Sequence, residues 1–220
     1  MERHFDQELA ELKDALLRMS ALAEQSVGEA LKALVQRDSA LAEKADAADE
    51  AIDHMEMEID DRVVKLLALR QPAAKDLRFI LMSMKIAAEL ERIGDQAVNI
   101  AHRVLKLNEE PQLKPFIDIP QMADLSCRMV HEALDAFVYA KPDQAQQIIA
   151  RDDNVDKIET QLHRELTSFM LEDPHTITRA MNLIGVAHSL ERIADHATNI
   201  AEEVVYLYEA RDIRHQLART

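Results

Sequence analysis

At 220 residues, 48% apolar and 30% charged, the chain has material for one large domain or two compact cores of about 100 residues each. A formal net charge of −15 removes any electrostatic footing on nucleic acid and disfavours contact with an anionic membrane surface, so cations and basic protein surfaces are the natural partners. A lone cysteine, Cys127, excludes an intrachain disulfide, fits a reducing compartment and reads as a small buried apolar residue on a helix; no run of about 18 apolar residues is present to span a bilayer.

With 3 Gly, 6 Pro, 4% aromatics and no Trp, the composition favours helix and disfavours sheet. The opening segment, MERHFDQELAEL, is charged and amphipathic, with no apolar signal core. A first helix is predicted from about Phe5 to Gln36, with Phe5, Leu9, Leu12, Leu16, Met19 and Ala23 as one apolar stripe. Asp38 and Ser39 offer the N-cap of a second helix reaching about Leu69, with Ile52, Ile59, Val63 and Leu66 on its buried side. A third starts at Pro72 and runs to about Asn108. Residues 109–120 carry Pro111, Pro115 and Pro120, which no helix continues through, so this segment is the linker between a first domain, 1–108, and a second, 121–220. The second half repeats the plan as Gln121–Ala140, Pro142–Leu171 and Pro174–Arg211.

The repeat itself is explicit. Leu90–Val104 reads LERIGDQAVNIAHRV and Leu190–Val204 reads LERIADHATNIAEEV, identical at ten of fifteen positions. A self-similar period near 100 residues marks a duplicated unit. Helices of some 30 residues extend roughly 45 Å, and short turns force neighbours antiparallel. The expected fold is all-α: two tandem three-helix bundles related by internal duplication.

On a helical wheel, Leu90, Ile93, Ala97, Ile100, Ala101 and Val104 form the buried stripe of the third helix. Glu91, Asp95 and Asn99 stack at i, i+4 and i+8 on its flank, and Glu191, Asp195 and Asn199 repeat the pattern. Carboxylates four residues apart repel unless something positive lies between them. On the middle helices, Asp49, Asp53, Glu56 and Asp60 share one face, as do Asp152, Asp156, Glu159 and His163. Each bundle can therefore set an acidic ridge on one helix against Glu-x-x-x-Asp on the next. Oxygen ligands from two helices suit magnesium, manganese, calcium or iron, and a nitrogen from His196 or His163 would draw in zinc or nickel. In a chain with 41 acidic residues the same stripes also read as solvated faces, as acids neutralised by Arg92 and Arg192, or as asparagines bridging helices.

Enzyme signatures are missing. The sequence has no GxxxxGK[ST], no HExxH and no Gly-Ser-Gly nucleophile turn. The Glu-x-x-His of a di-iron bundle occurs only at Glu172–His175, where Pro174 interrupts it. The nine histidines are scattered, and the ten methionines read as core filler.

HFDQELAELK at the start, LRQPAAKDLRFI at 69–80, ELERIGDQAVNIA at 89–101 and SLERIADHATNIAEEV at 189–204 resemble the PhoU family of phosphate-specific transport accessory proteins, over essentially the whole chain. The resemblance implies two tandem three-helix bundles. It implies that Glu91–Asp95 and Glu191–Asp195 are the family's metal-associated E(D)xxxD motifs, with Asn99 and Asn199 in register. It also implies a cytoplasmic negative regulator that couples the ATPase subunit of a phosphate ABC transporter to a sensor histidine kinase, reaching the inner face of the membrane through those partners. The family often has His after the motif's Asp. Here Gln96 and His196 occupy those positions, so the halves are expected to differ in metal preference or nuclearity.

The sequence thus reads as a non-enzymatic adaptor, a homodimer through an apolar seam left by its long helices, binding divalent or trivalent metal ions (iron, zinc, manganese, magnesium or calcium). Two rival readings are a metal-dependent, di-iron-like enzyme or metal store, and a purely structural helical protein.

Overall fold

The computed structural model describes residues 2–213, and among them every regular element is helical. Met1 and residues 214–220, at the outer ends of the two expected domains, lie outside the described residues. The helices are α1 (Glu2–Gln36), α2 (Ser39–Ala47), α3 (Asp49–Arg70), α4 (Ala74–Asn108), α5 (Asp118–Val138), α6 (Pro142–Ile149), α7 (Asp152–Glu172) and α8 (Ile177–Glu209), with a 3₁₀ turn at Pro174–Thr176 before α8.

Each half is a three-helix bundle whose middle arm comes in two pieces, α2 with α3 and α6 with α7. The sequence reads as one helix from Asp38 to about Leu69 and another from Pro142 to Leu171; the structure divides both. Ala48 keeps helical angles, but the bonds around it shorten to the 3₁₀ pattern, Ala48 N to Ala45 O and Ala51 N to Ala48 O. Arg151 N to Ile148 O and Asn154 N to Arg151 O do the same at the corresponding place in the second half. Each break creates a fresh helix N-terminus, and Asp49 and Asp152 stand at its first position, where the helix dipole favours negative charge. The other ends differ from the sequence reading by a few residues. α4 begins two residues after Pro72, and α5 begins at Asp118, placing Pro120 in its first turn, where proline is tolerated.

The predicted stripes are the core. Leu12, Leu16, Met19 and Ala23 of α1, Ile52, Ile59, Val63 and Leu66 of α3, and Leu90, Ile93, Ala97, Ile100, Ala101 and Val104 of α4 are buried; Phe5 and Leu9 pack at the margin. Helices α4 and α8 are the central members. Each packs on the other helices of its own half, and the two pack on one another. That double duty explains why their buried faces are too wide for a single stripe and take in Ser83, Gln96, Ser189 and His196. The α4–α8 seam is antiparallel. Lys85 Nζ lies 2.9 Å from Glu203 Oε1, and further along, the Arg103 guanidinium rests against the α8 backbone where Gly185 leaves no Cβ in its way. Phe79 of α4 stacks on Phe137 of α5 with centroids 5.0 Å apart, a second tie between the halves.

Polar side chains finish the helix ends. Asp38 Oδ1 accepts from the Ala40 and Leu41 N–H groups at the start of α2. Arg37, with φ at +56°, turns its guanidinium onto the Leu107, Asn108 and Glu110 carbonyls and so caps the C-terminus of α4. The linker is pinned in place: Lys114 pairs with Asp118 and Glu165, and Arg179 bonds the Pro111 carbonyl.

Candidate metal centres

The first acidic ridge lies where α3 meets α4. Gly94 permits the approach, since a Cβ there would stand 2.9 Å from Ile52 Cδ1 and 3.5 Å from Asp49 Oδ1. In the second half the corresponding pair is Ala194 and Val155, a methyl moved from one helix to the other, and both are buried. The two halves reach the same close packing by complementary volumes.

Carboxylates crowd this junction. Burial, then the charges of Asp95, Glu56 and Asp53, push Glu91 up to about 7, against only a small opposing pull from Arg92. Asp49 is raised by burial and by Asp53, Asp95 and Asp46, and Glu56 by burial and by Asp60 and Asp53. The second ridge, between α7 and α8, behaves alike. Burial and the charges of Asp195, Glu159, Asp156 and Asp152 lift Glu191 to about 7; burial and Asp195, Asp156 and Asp153 lift Asp152 to about 6. Asp156 is raised for the same reasons. One oxygen each of Asp49, Asp60, Asp152 and Glu191 is buried without a hydrogen-bond partner. Acids repelling one another beside unpartnered oxygens fit a hard or borderline cation, which would supply the missing charge and coordination together.

Ten of the predicted ligands therefore come together in two groups: Asp49, Asp53, Glu56, Glu91 and Asp95, and Asp152, Asp156, Glu159, Glu191 and Asp195. The asparagines are engaged through their amide nitrogens. Asn199 Nδ2 donates to Glu89 Oε2 at 3.0 Å, across the α4–α8 seam, and Asn99 Nδ2 faces Gln96 Oε1 at 3.5 Å. His196 is buried in that seam, its Nδ1 2.7 Å from Glu89 Oε2. Burial works to raise Glu89, but hydrogen bonds from His196 and Asn199, with the charges of His196 and Arg92, outweigh it and hold Glu89 below the usual carboxylate range. His196 therefore faces α4 across the inter-bundle seam, whereas Gln96 is buried beside Asn99 on its own helix. Arg92 also turns to Glu89, at 3.1 Å, and His163 stands exposed on α7.

The residue missed by sequence reasoning is His188. It lies one turn before Glu191, with Nδ1 3.3 Å from Glu191 Oε2 and 3.3 Å from Glu159 Oε1. One donor atom from each of Glu159, His188 and Glu191 lies within 4.8 Å of the others. The available signal was the i, i+3 spacing of His188 and Glu191, which places both on one helix face.

Two half-length bundles carrying the same ridge match one family model. The PhoU domain matches residues 16–104 and again 119–204. This chain belongs to the PhoU family. It is 41% identical over 216 residues to the "phosphate-specific transport system accessory protein PhoU homolog" of Pseudomonas putida, covering 98% of this chain and 84% of that one. The Aquifex aeolicus protein of the same name is 42% identical over 209 residues, 95% of each chain. Among solved structures, PhoU from Pseudomonas aeruginosa superposes with a TM-score of 0.90 at 41% identity, covering 94% of this chain and all of that one. The "phosphate transport system regulatory protein PhoU" of Streptococcus pneumoniae gives 0.89 at 33% identity, covering 95% and 99%. The PhoU fold, two tandem helical bundles, is therefore the frame that carries both ridges. No helix among the described residues is long and apolar enough to cross a membrane.

Proposed function

We propose that this PhoU-family chain is a cytoplasmic, metal-binding adaptor that restrains phosphate uptake and phosphate-starvation signalling. It would join the ATPase subunit of a phosphate ABC transporter to a sensor histidine kinase and reach the inner face of the membrane through those proteins. The names of its relatives support a place in phosphate transport. The observation that carries the metal reading is the recurrence, in both bundles, of five carboxylates from two helices with a glutamate held near neutrality among them. In the first bundle Asp49, Asp53, Glu56, Glu91 and Asp95 would hold the ion; in the second, Asp152, Asp156, Glu159, Glu191 and Asp195. A bound cation removes the repulsion between adjacent helices and so stiffens the bundle face presented to a partner. The work is binding rather than turnover, and a homodimer is part of the proposal.

The test combines elemental analysis with capture from phosphate-replete cells. Wild-type protein should retain metal and recover the transport ATPase or the kinase, while Glu91→Ala with Glu191→Ala should lose metal and weaken capture. Unchanged metal content and unchanged capture in the double variant would refute the reading.

A further inference from the structure

The two ridges are near-copies, yet one carries a nitrogen donor. The face of α8 that presents Glu191 and Asp195 also presents His188, and the corresponding position on α4 is Ala88. We propose that the second ridge is a mixed nitrogen–oxygen metal site in which His188 Nδ1 joins Glu159 and Glu191, whereas the first ridge offers carboxylate oxygens alone; the halves therefore select different ions. This rests on the reading that the ridges hold cations.

The spacing accommodates a shared ion. His188 Nδ1 stands 3.3 Å from a carboxylate oxygen on each side, hydrogen-bonding Glu159 Oε1 and pairing with Glu191 Oε2, and a single N–H cannot serve both oxygens fully. Glu191 Oε2, one of those two oxygens, is buried and makes no hydrogen bond. Donors at ~2.0–2.1 Å from a tetrahedral ion lie roughly 3.3 Å apart, so the separation in the protein is that of neighbouring ligands around one ion. The ligands come from both walls of the ridge, Glu159 from α7 and His188 with Glu191 from α8, and the imidazole is exposed enough to adjust its ring. Imidazole favours zinc and other borderline ions, whereas an all-carboxylate site suits magnesium, calcium or manganese. The first ridge gains no imidazole from Gln96, whose Oε1 faces Asn99 Nδ2, and His102 pairs with Asp46 further along α4.

The test uses the full-length protein, stripped with chelator, as wild type and His188→Ala. Each is titrated with Zn²⁺ in the presence of excess Mg²⁺, while the imidazole ¹⁵N resonances are followed. The wild type should take up one zinc equivalent that magnesium does not displace, with the His188 Nδ1 signal shifting on binding. His188→Ala should weaken that equivalent by about tenfold or more while leaving Mg²⁺ and Mn²⁺ uptake by the first ridge unchanged. Zinc bound equally tightly by both proteins, with no shift at His188, would overturn this inference and leave the ridge reading standing. No cation bound by either protein would overturn both.

Discussion

Glu89 of α4 and His196 of α8 meet across the seam between the bundles, with Nδ1 and Oε2 2.7 Å apart and both side chains largely withdrawn from water. Asn199 shares the same carboxylate oxygen. Because this cluster is buried, removing its acceptor leaves polar groups without partners. Glu89→Ala is expected to cost about 1–3 kcal/mol, and Glu89→Gln less, because the amide oxygen still accepts. Urea unfolding followed by circular dichroism measures both.

Gly94 makes a sharper test of packing. Gly94→Ala places a methyl 2.9 Å from Ile52 Cδ1, an overpacking cost of about 1–3 kcal/mol that is offset by about 0.5–1 kcal/mol gained on removing a helix-interior glycine, so the first bundle should lose up to about 2 kcal/mol. Adding Ile52→Val recreates the combination already present in the second half as Ala194 and Val155, and should recover most of the loss. A double-mutant cycle on denaturation midpoints reads the coupling directly.

The pH dependence follows from the raised carboxylates. Glu91 and Glu191 titrate near 7 in the folded chain and near 4.5 when unfolded, and Asp152 near 6 against 3.8. Below the unfolded values these groups are neutral in both states and contribute nothing. As pH rises from there to about 7, the unfolded chain loses protons that the folded chain still holds, so stability falls; above about 7 the penalty is complete and flat. Glu29, Glu89 and Glu132, held low, act with the opposite sign below this window. Chelator-treated protein should therefore show a lower urea midpoint at about pH 8 than at about pH 5.5. Saturating cation should flatten or reverse the trend, because ligands bind metal in their deprotonated form.

Arg37 joins the end of α1 to the end of α4 through three carbonyls. Arg37→Ala removes charge-assisted bonds and should cost about 1.5–3 kcal/mol. Faster amide exchange over the last turn of α4 would locate the effect there.

Much of this was legible in the chain because it is periodic. The stripes at Leu12–Ala23, Ile52–Leu66 and Leu90–Val104 announced the helices and their buried faces, and the fifteen-residue repeat announced the duplication. The breaks before Asp49 and Asp152 are not legible in the sequence, because Ala48 and Ala150 are good helix formers and no Gly or Pro stands at either place. Asn199 and His196 meet Glu89 for a geometric reason. Steps of four residues advance about 40° each time, so Asn199 has rotated about 80° from Glu191 toward the seam, and His196 about 140°. A wheel shows which face is apolar but not which neighbour covers its flank. His188, three residues before Glu191, falls about 60° from it on the same side as Asn199, so only the distances separate the one from the other.

The most direct measurement is anomalous diffraction from crystals of the full chain soaked with manganese. A peak is expected between α3 and α4, within coordination distance of Glu91 and of the Asp53 or Asp49 carboxylate, and a second between α7 and α8 at Glu191 and Asp156 or Asp152. Manganese found only elsewhere on the surface, with both ridges free of it, would show that the ridges are solvated acidic faces rather than metal centres.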